Sequence, residues 1–63
     1  MYWVVYRYYL TGLLPKRVYW TGKGWTRDFT EARMYKVFTT AERVMDRLEE
    51  ELMEDVYTWE VTS

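Results

Sequence analysis

An α+β domain is the fold class this sequence predicts: one four-stranded, mostly antiparallel sheet packed on a single helix, in the order β-β-β-α-β. Three observations predict it. Residues 39–53, TTAERVMDRLEEELM, place Ala41, Val44, Met45, Leu48 and Leu52 on one stripe of an α-helix. The residues before it fall into short runs rich in tyrosine, tryptophan and valine, broken by Gly12, Pro15, Gly22 and Gly24, the pattern of strands and turns. One more such run, residues 56–61, follows the helix. Sixty-three residues are expected to form one domain, 1–63.

Residues 2–10, YWVVYRYYL, read as the first strand. Alternation splits it into Tyr2, Val4, Tyr6 and Tyr8 against Trp3, Val5, Arg7 and Tyr9. Arg7 decides between the faces: an unpaired buried charge is costly, so the even face is expected inward and the odd face outward. Residues 11–16 are a turn region, with Leu13 and Leu14 expected to fold back on the edge of the core, the alternative being a contact point at the tip. Residues 17–21, RVYWT, form a hairpin with the first strand, with Val18 and Trp20 inward. The Gly22-Lys23-Gly24 stretch lacks the spacing of a phosphate loop and reads as a tight turn that brings Trp25 over the core edge. Asp28 and Glu31 have capping-box spacing, which predicts one helical turn over 29–32.

Residues 33–38, RMYKVF, read as the third strand, with Tyr35 and Val37 inward and Phe38 a candidate to pack under the helix. Thr39 and Glu42 again have capping-box spacing and mark the helix start. Glu49, Glu50, Glu51, Glu54 and Asp55 crowd the helix C-terminus, where the macrodipole favours cations. With the unfavourable spacings Glu42–Asp46 and Asp46–Glu50, this arrangement costs on the order of 1–2 kcal/mol. In the last strand Glu60 faces water, so Tyr57, Trp59 and Val61 are expected inward. The expected sheet order is 4-1-2-3, with the last strand parallel to the first or third.

So small a chain buries only about 60% of its unfolded surface and has little stability to spare. It has no cysteine and no histidine, which excludes a disulfide scaffold, a thiolate or imidazole zinc site, and a Cys- or His-based catalytic centre. Thirteen aromatic residues are the alternative source of a core. Besides tyrosine, the available hydroxyl nucleophiles are threonines and Ser63, and the carboxylate pairs are consecutive helix acids. No enzymatic activity and no cofactor are expected. The net charge of −1 hides an asymmetry: residues 1–48 carry nine bases and four acids, whereas 49–63 carry six acids and no base. Such a division suits a charged partner or head-to-tail association. No apolar run is long enough to span a bilayer, and no secretory signal is read at the N-terminus, so a cytoplasmic setting without membrane contact is expected.

A helix of about 14 residues is roughly 21 Å long and covers one face of a four-stranded sheet. The face expected to remain open holds Trp3, Val5, Arg7, Tyr9, Arg17, Tyr19, Met34 and Lys36. Trp3, Arg7, Tyr9, Arg17, Tyr19 and Lys36 are therefore the candidate binding residues, with the acidic patch Glu49, Glu50, Glu51, Glu54 and Asp55 as a second candidate. The first functional expectation is a protein-interaction module with a protein partner, and an open apolar face also allows a homodimer. The alternative is a single-stranded nucleic-acid binder that stacks bases on Trp3, Tyr9 and Tyr19 beside Arg7, Arg17 and Lys36. A sequence pI of about 5.3 speaks against it, so nucleic acid is not the expected partner.

The plan of the chain resembles that of small accessory proteins of bacteriophages and mobile elements. The residues that carry the resemblance are the Tyr/Trp-rich N-terminal meander, Gly24-Trp25, Asp28-Phe29-Thr30-Glu31-Ala32, and Phe38-Thr39-Thr40 leading into the helix. Several such proteins, anti-CRISPR proteins among them, inhibit host defence complexes by direct binding. The resemblance thus implies an inhibitor working in the host cytoplasm, and it carries over no functional residue.

Overall fold

In the computed structural model, which describes residues 1–62 (Leu10 and Thr11 by their backbone), four strands form one antiparallel sheet in the order β3-β2-β1-β4. Ser63 lies outside the described residues. The elements are β1 (Tyr2–Thr11), β2 (Leu14–Trp20), β3 (Trp25–Thr26), a 3₁₀ turn (Phe29–Glu31), α1 (Phe38–Leu52) and β4 (Tyr57–Val61). The fold class is the expected one, a small α+β domain, but the third strand is Trp25–Thr26, read from the sequence as part of a connection, and not residues 33–38, so the expected order 4-1-2-3 holds only for its other three strands. β4 runs antiparallel to β1 rather than parallel, with Val4 opposite Trp59 and Tyr6 opposite Tyr57. The connection through α1 returns the chain to the far edge of β1 in the opposite direction.

The β1–β2 hairpin closes through only Gly12 and Leu13. Gly12 has φ +67°, which suits the glycine-first position of a two-residue turn. Leu13 and Leu14 do not fold back on the core; they stand 97% and 67% exposed at the tip. The β2–β3 turn is tied by Thr21. Its hydroxyl accepts from the Lys23 and Gly24 backbone N–H groups at 3.2 and 3.0 Å, and its own N–H donates to the Gly24 carbonyl at 2.9 Å. Gly22 has φ +100°, and a Cβ there would meet the Arg33 side chain at 3.1 Å, so glycine is required. Trp25 is thereby set opposite Trp20, ring centroids 5.2 Å apart.

Residues 33–38 do not form a full strand. They contribute one bridge, in which Trp3 and Tyr35 exchange backbone hydrogen bonds of 2.7 and 2.8 Å, while Arg33 N–H donates to the Trp20 carbonyl at 2.8 Å. This segment fills the gap left where β2, paired with β1 from Tyr6 onward, has no partner residue opposite Trp3. Tyr35 is buried as expected, whereas Val37 is 55% exposed. Val37 is the N-cap of α1 and provides no side-chain hydrogen bond, so the Thr39–Glu42 capping box does not form. Met53, in the left-handed conformation at φ 56°, ends the helix, and its N–H donates to the Glu49 carbonyl at 2.7 Å.

The helix phase is the expected one, with Ala41 and Leu48 buried and Val44, Met45 and Leu52 packed beside them. They meet Val5, Tyr35 and Val56 to form the core. The face of β1 toward the helix is therefore the odd one, the reverse of the expectation. Trp3 packs on Phe38 at 4.6 Å, and Arg7 lies at the other end of the helix, paired with Glu54. β4 is inverted in the same way: Val56 lies in the core, Thr58 and Glu60 share the helix side, and Tyr57, Trp59 and Val61 lie on the opposite side with Tyr6, Val4 and Tyr2. The charge rule failed at Arg7 because the charge is paired, by an acid 47 positions away in sequence.

Both Val4 and Val5 are fully buried although they point to opposite faces. The second cover is Phe29. It touches Tyr19 of β2 at 5.1 Å and Trp59 of β4 at 5.6 Å, so its ring lies across β1 at the level of Val4. Leu48, 3% exposed, is the pivot of the helix-side core. Leu48→Ala is expected to cost about 2–5 kcal/mol. A denaturation midpoint within a degree or two of the parent would show that this leucine carries no core.

Candidate functional site

The strand geometry divides the six candidate residues. Arg17 and Tyr19 lie on the open face of the sheet, opposite Tyr8 and Tyr6. Trp3, Arg7 and Tyr9 belong to the helix face, Trp3 as part of the core packing. Lys36 is exposed in the connection before α1. A single surface of Trp3, Arg7, Tyr9, Arg17, Tyr19 and Lys36 therefore does not exist.

A different aromatic surface takes its place. Tyr6 stands at its centre, stacked on Tyr57 at 5.5 Å and edge-on to Tyr8 at 5.8 Å, with Tyr19 at 6.5 Å. The Arg17 guanidinium lies over the rings of Tyr6, Tyr8 and Trp59 at 4.9, 5.4 and 5.5 Å, and donates to the Tyr8 hydroxyl at 2.8 Å. These contacts fix a long cation that would otherwise sample many rotamers. Its hydrogen bond to Tyr8 raises its already high pKa, so it is charged at any ordinary pH. Phe29 closes only the Val4 end of this face, and Tyr8, Tyr57 and Trp59 remain 42–43% exposed. Among the described residues, no strand residue on this face is acidic.

Phe29 is held by its own turn. The Asp28 carboxylate accepts from the Thr30 hydroxyl at 2.6 Å and the Thr30 N–H at 2.9 Å, which caps the turn; the Asp28 N–H donates to the Thr26 hydroxyl at 3.1 Å rather than to Glu31, so only the Asp28 half of the expected capping box forms. The two bonds from Thr30, the hydroxyl first, lower the Asp28 pKa.

The acidic helix end is partly used by the fold itself. A Glu49 carboxylate oxygen accepts from the Val56 N–H at 3.2 Å, which fixes the entry into β4. Glu54 pairs with Arg7. Glu50, Glu51 and Asp55 are exposed. Two of the five acids thus have structural partners that explain their position against the helix dipole. On the helix side beyond the end of α1, Arg7, Tyr9, Val18, Trp25, Thr26 and Arg27 line a groove of about 570 Å³.

Among the described residues, no cluster of three or more His, Cys, Asp or Glu side chains could hold a metal ion, and no helix is long and apolar enough to cross a membrane. No family model matches the chain, and neither a curated protein nor a solved structure matches it.

Sequence reasoning missed Tyr6, Tyr8, Tyr57 and Trp59 as surface residues. The tyrosines on that face gave no deciding signal, because the ring suits a core and the hydroxyl suits water.

Burial first, and then the neighbouring Tyr8, raises the Tyr6 hydroxyl above the ordinary tyrosine value of 10.0, with Arg17 opposing. A raised folded-state pKa gives stability that is fully present below the unfolded value and is lost as pH rises through the folded one. Tyr6→Phe removes the ionisable group and is expected to move the alkaline unfolding midpoint, followed by circular dichroism, to higher pH. An unchanged midpoint would show that Tyr6 ionises alike in folded and unfolded chains.

Proposed function

We propose that this chain is a non-enzymatic protein-interaction module that engages its partner through the open half of the sheet. The observation that carries the proposal is the Tyr6–Tyr8–Tyr57–Trp59 cluster with Arg17 fixed among its rings. Tyr, Trp and Arg are the residue types most enriched among binding hot spots, and here they are adjacent, ordered and half exposed. Ordering before contact lowers the entropy lost on binding. One positive charge with no acid beside it calls for a partner surface that is apolar with a carboxylate opposite Arg17. A face-to-face homodimer meets this demand less well, because each copy would offer the other a guanidinium and no acid.

The resemblance to phage accessory proteins suggests the kind of partner, a larger host defence complex that the module blocks by occupying its surface in the host cytoplasm. Nucleic acid is the weaker reading. Among the described strand residues of the open face, Arg17 alone could meet phosphates beside the rings, and affinity for nucleic acid grows with the number of phosphates neutralised.

Two measurements test this. Affinity capture from a host lysate should yield a partner, and the double variant Tyr8→Ala, Trp59→Ala should keep the parent circular dichroism spectrum while losing about 2 kcal/mol or more of affinity for it. Undiminished binding by a folded double variant would move the interface elsewhere, with Glu50, Glu51 and Asp55 next in line. Single-stranded DNA or RNA should bind no tighter than about 10⁻⁵ M at physiological salt. A sub-micromolar, steeply salt-dependent titration would put the nucleic-acid reading first.

A further inference from the structure

The opposite face of the same sheet carries a second feature, independent of the surface proposed above. The helix spans β1 from Trp3, which touches Phe38 at its first turn, to Arg7, which pairs with Glu54 just past its end. Tyr9 lies one step further along the same face and has no helix above it. There the sheet surface opens into the groove of about 570 Å³, within the range of small-molecule sites. Val18, 4% exposed, is its floor, Tyr9 and Trp25 are aromatic walls, and Arg7 and Arg27 supply the charges.

The charges in the groove are unbalanced. Its lining holds two guanidiniums and no carboxylate. Glu54, which borders the neighbouring hollow beside Tyr8, Tyr9 and Pro15, reaches one of them, Arg7. Among the described residues Arg27 has no ion-pair partner, and it is exposed. The Arg7 pairing is also incomplete: only one terminal nitrogen meets Glu54, and Nε is buried without an acceptor. Buried donors are nearly always satisfied, so Glu54 leaves part of the hydrogen-bonding capacity of Arg7 unused. Arg7 lies 5.5 Å over the Trp25 ring, which holds its guanidinium at the groove wall.

We propose that this groove binds an anion carrying a flat apolar body, of the class of an aromatic carboxylate. The flat body lies between Tyr9 and Trp25 over Val18, and the carboxylate meets Arg27 and Arg7. Glu54 already presents a carboxylate to Arg7, and so competes with the ligand for it. Removing the Glu54 charge therefore strengthens binding, an outcome that a purely structural ion pair would not give.

The test is a titration of the whole chain with indole-3-acetate, followed through the Trp25 indole and Arg27 amide resonances, with indole-3-acetamide as the neutral isostere. A charge-assisted bond is worth about 1.5–3 kcal/mol, so the acid is expected to bind at least about tenfold more tightly than the amide. Arg27→Gln, an exposed change that leaves the fold alone, should remove most of that difference. Glu54→Gln should raise affinity by about threefold or more. A peptide ending in tryptophan, with a free or an amidated terminus, separates the two sources of this chemistry. Tighter binding of the free-carboxylate peptide than of indole-3-acetate assigns the groove to a protein C-terminus; tighter binding of indole-3-acetate assigns it to a free metabolite. Equal binding of acid and amide, indifference to Arg27→Gln, or weaker binding by a folded Glu54→Gln variant would each overturn the proposal.

Discussion

The structure depends on enclosing the N-terminal half of β1 from both sides. β1 is central in the sheet, with β2 and β4 as neighbours, and its adjacent residues Val4 and Val5 point in opposite directions yet are both fully buried. Each buried valine stabilises by roughly 1.5–3 kcal/mol, a large share for a domain of this size. The chain has one helix to do this with, and α1 can cover only the Val5 side. The Val4 side falls to Phe29, which a three-residue turn capped by Asp28 holds across the strand. Tyr8 on one side and Tyr9 on the other lie beyond these two covers, and both candidate surfaces lie there.

The same constraint accounts for the acidic helix end. With fifteen residues, α1 stops at the level of Arg7, and the chain must reverse to enter β4. Met53 makes the reversal in the left-handed conformation, Glu49 accepts from the Val56 N–H, and Glu54 meets Arg7. The acids cost a few tenths of a kcal/mol each against the helix dipole. They are placed where a backbone donor and a guanidinium on the helix face would otherwise lack partners. Glu54 is about half exposed, so water screens the pair and its direct contribution is below about 1 kcal/mol. What it supplies is a permitted position for Arg7 on the covered face.

This also explains which features were legible in the sequence. The helix and its phase were, because Ala41, Val44, Met45, Leu48 and Leu52 repeat at a period that no other structure uses. The Asp28 cap followed from a local pattern as well, whereas the place of the third strand did not: Trp25–Thr26 fills it. Strand parity was not legible. A period of two has only two solutions, and the choice at β1 rested on one charge whose partner lies 47 residues away. Tyrosine could not correct the choice, because it is at home on either side of a sheet. The third strand dissolved for a related reason. Tyr35 fits an extended core position, but among the described residues its segment pairs with β1 at Trp3 alone, so one bridge forms and no ladder. The open aromatic surface was thus foreseen in kind and assigned to the wrong residues, apart from Arg17 and Tyr19.

Alternation along β1 has a functional consequence. Tyr6 and Tyr8 serve the open face, while Arg7 and Tyr9, between and beyond them, serve the groove on the helix side. The two surfaces are built from consecutive residues of one strand and share its backbone, yet their side chains point apart, and the charge each presents is separate: Arg17 on one side, Arg7 and Arg27 on the other. Changes at exposed positions such as Trp59 and Arg27, with no partner in common, should therefore act on one surface at a time and combine additively. Changes that loosen Val4, Val5 or Phe29 act on the strand itself and reach both surfaces together. Joint loss of two binding activities then points to the enclosure of β1, and loss of one alone points to the surface that carries it.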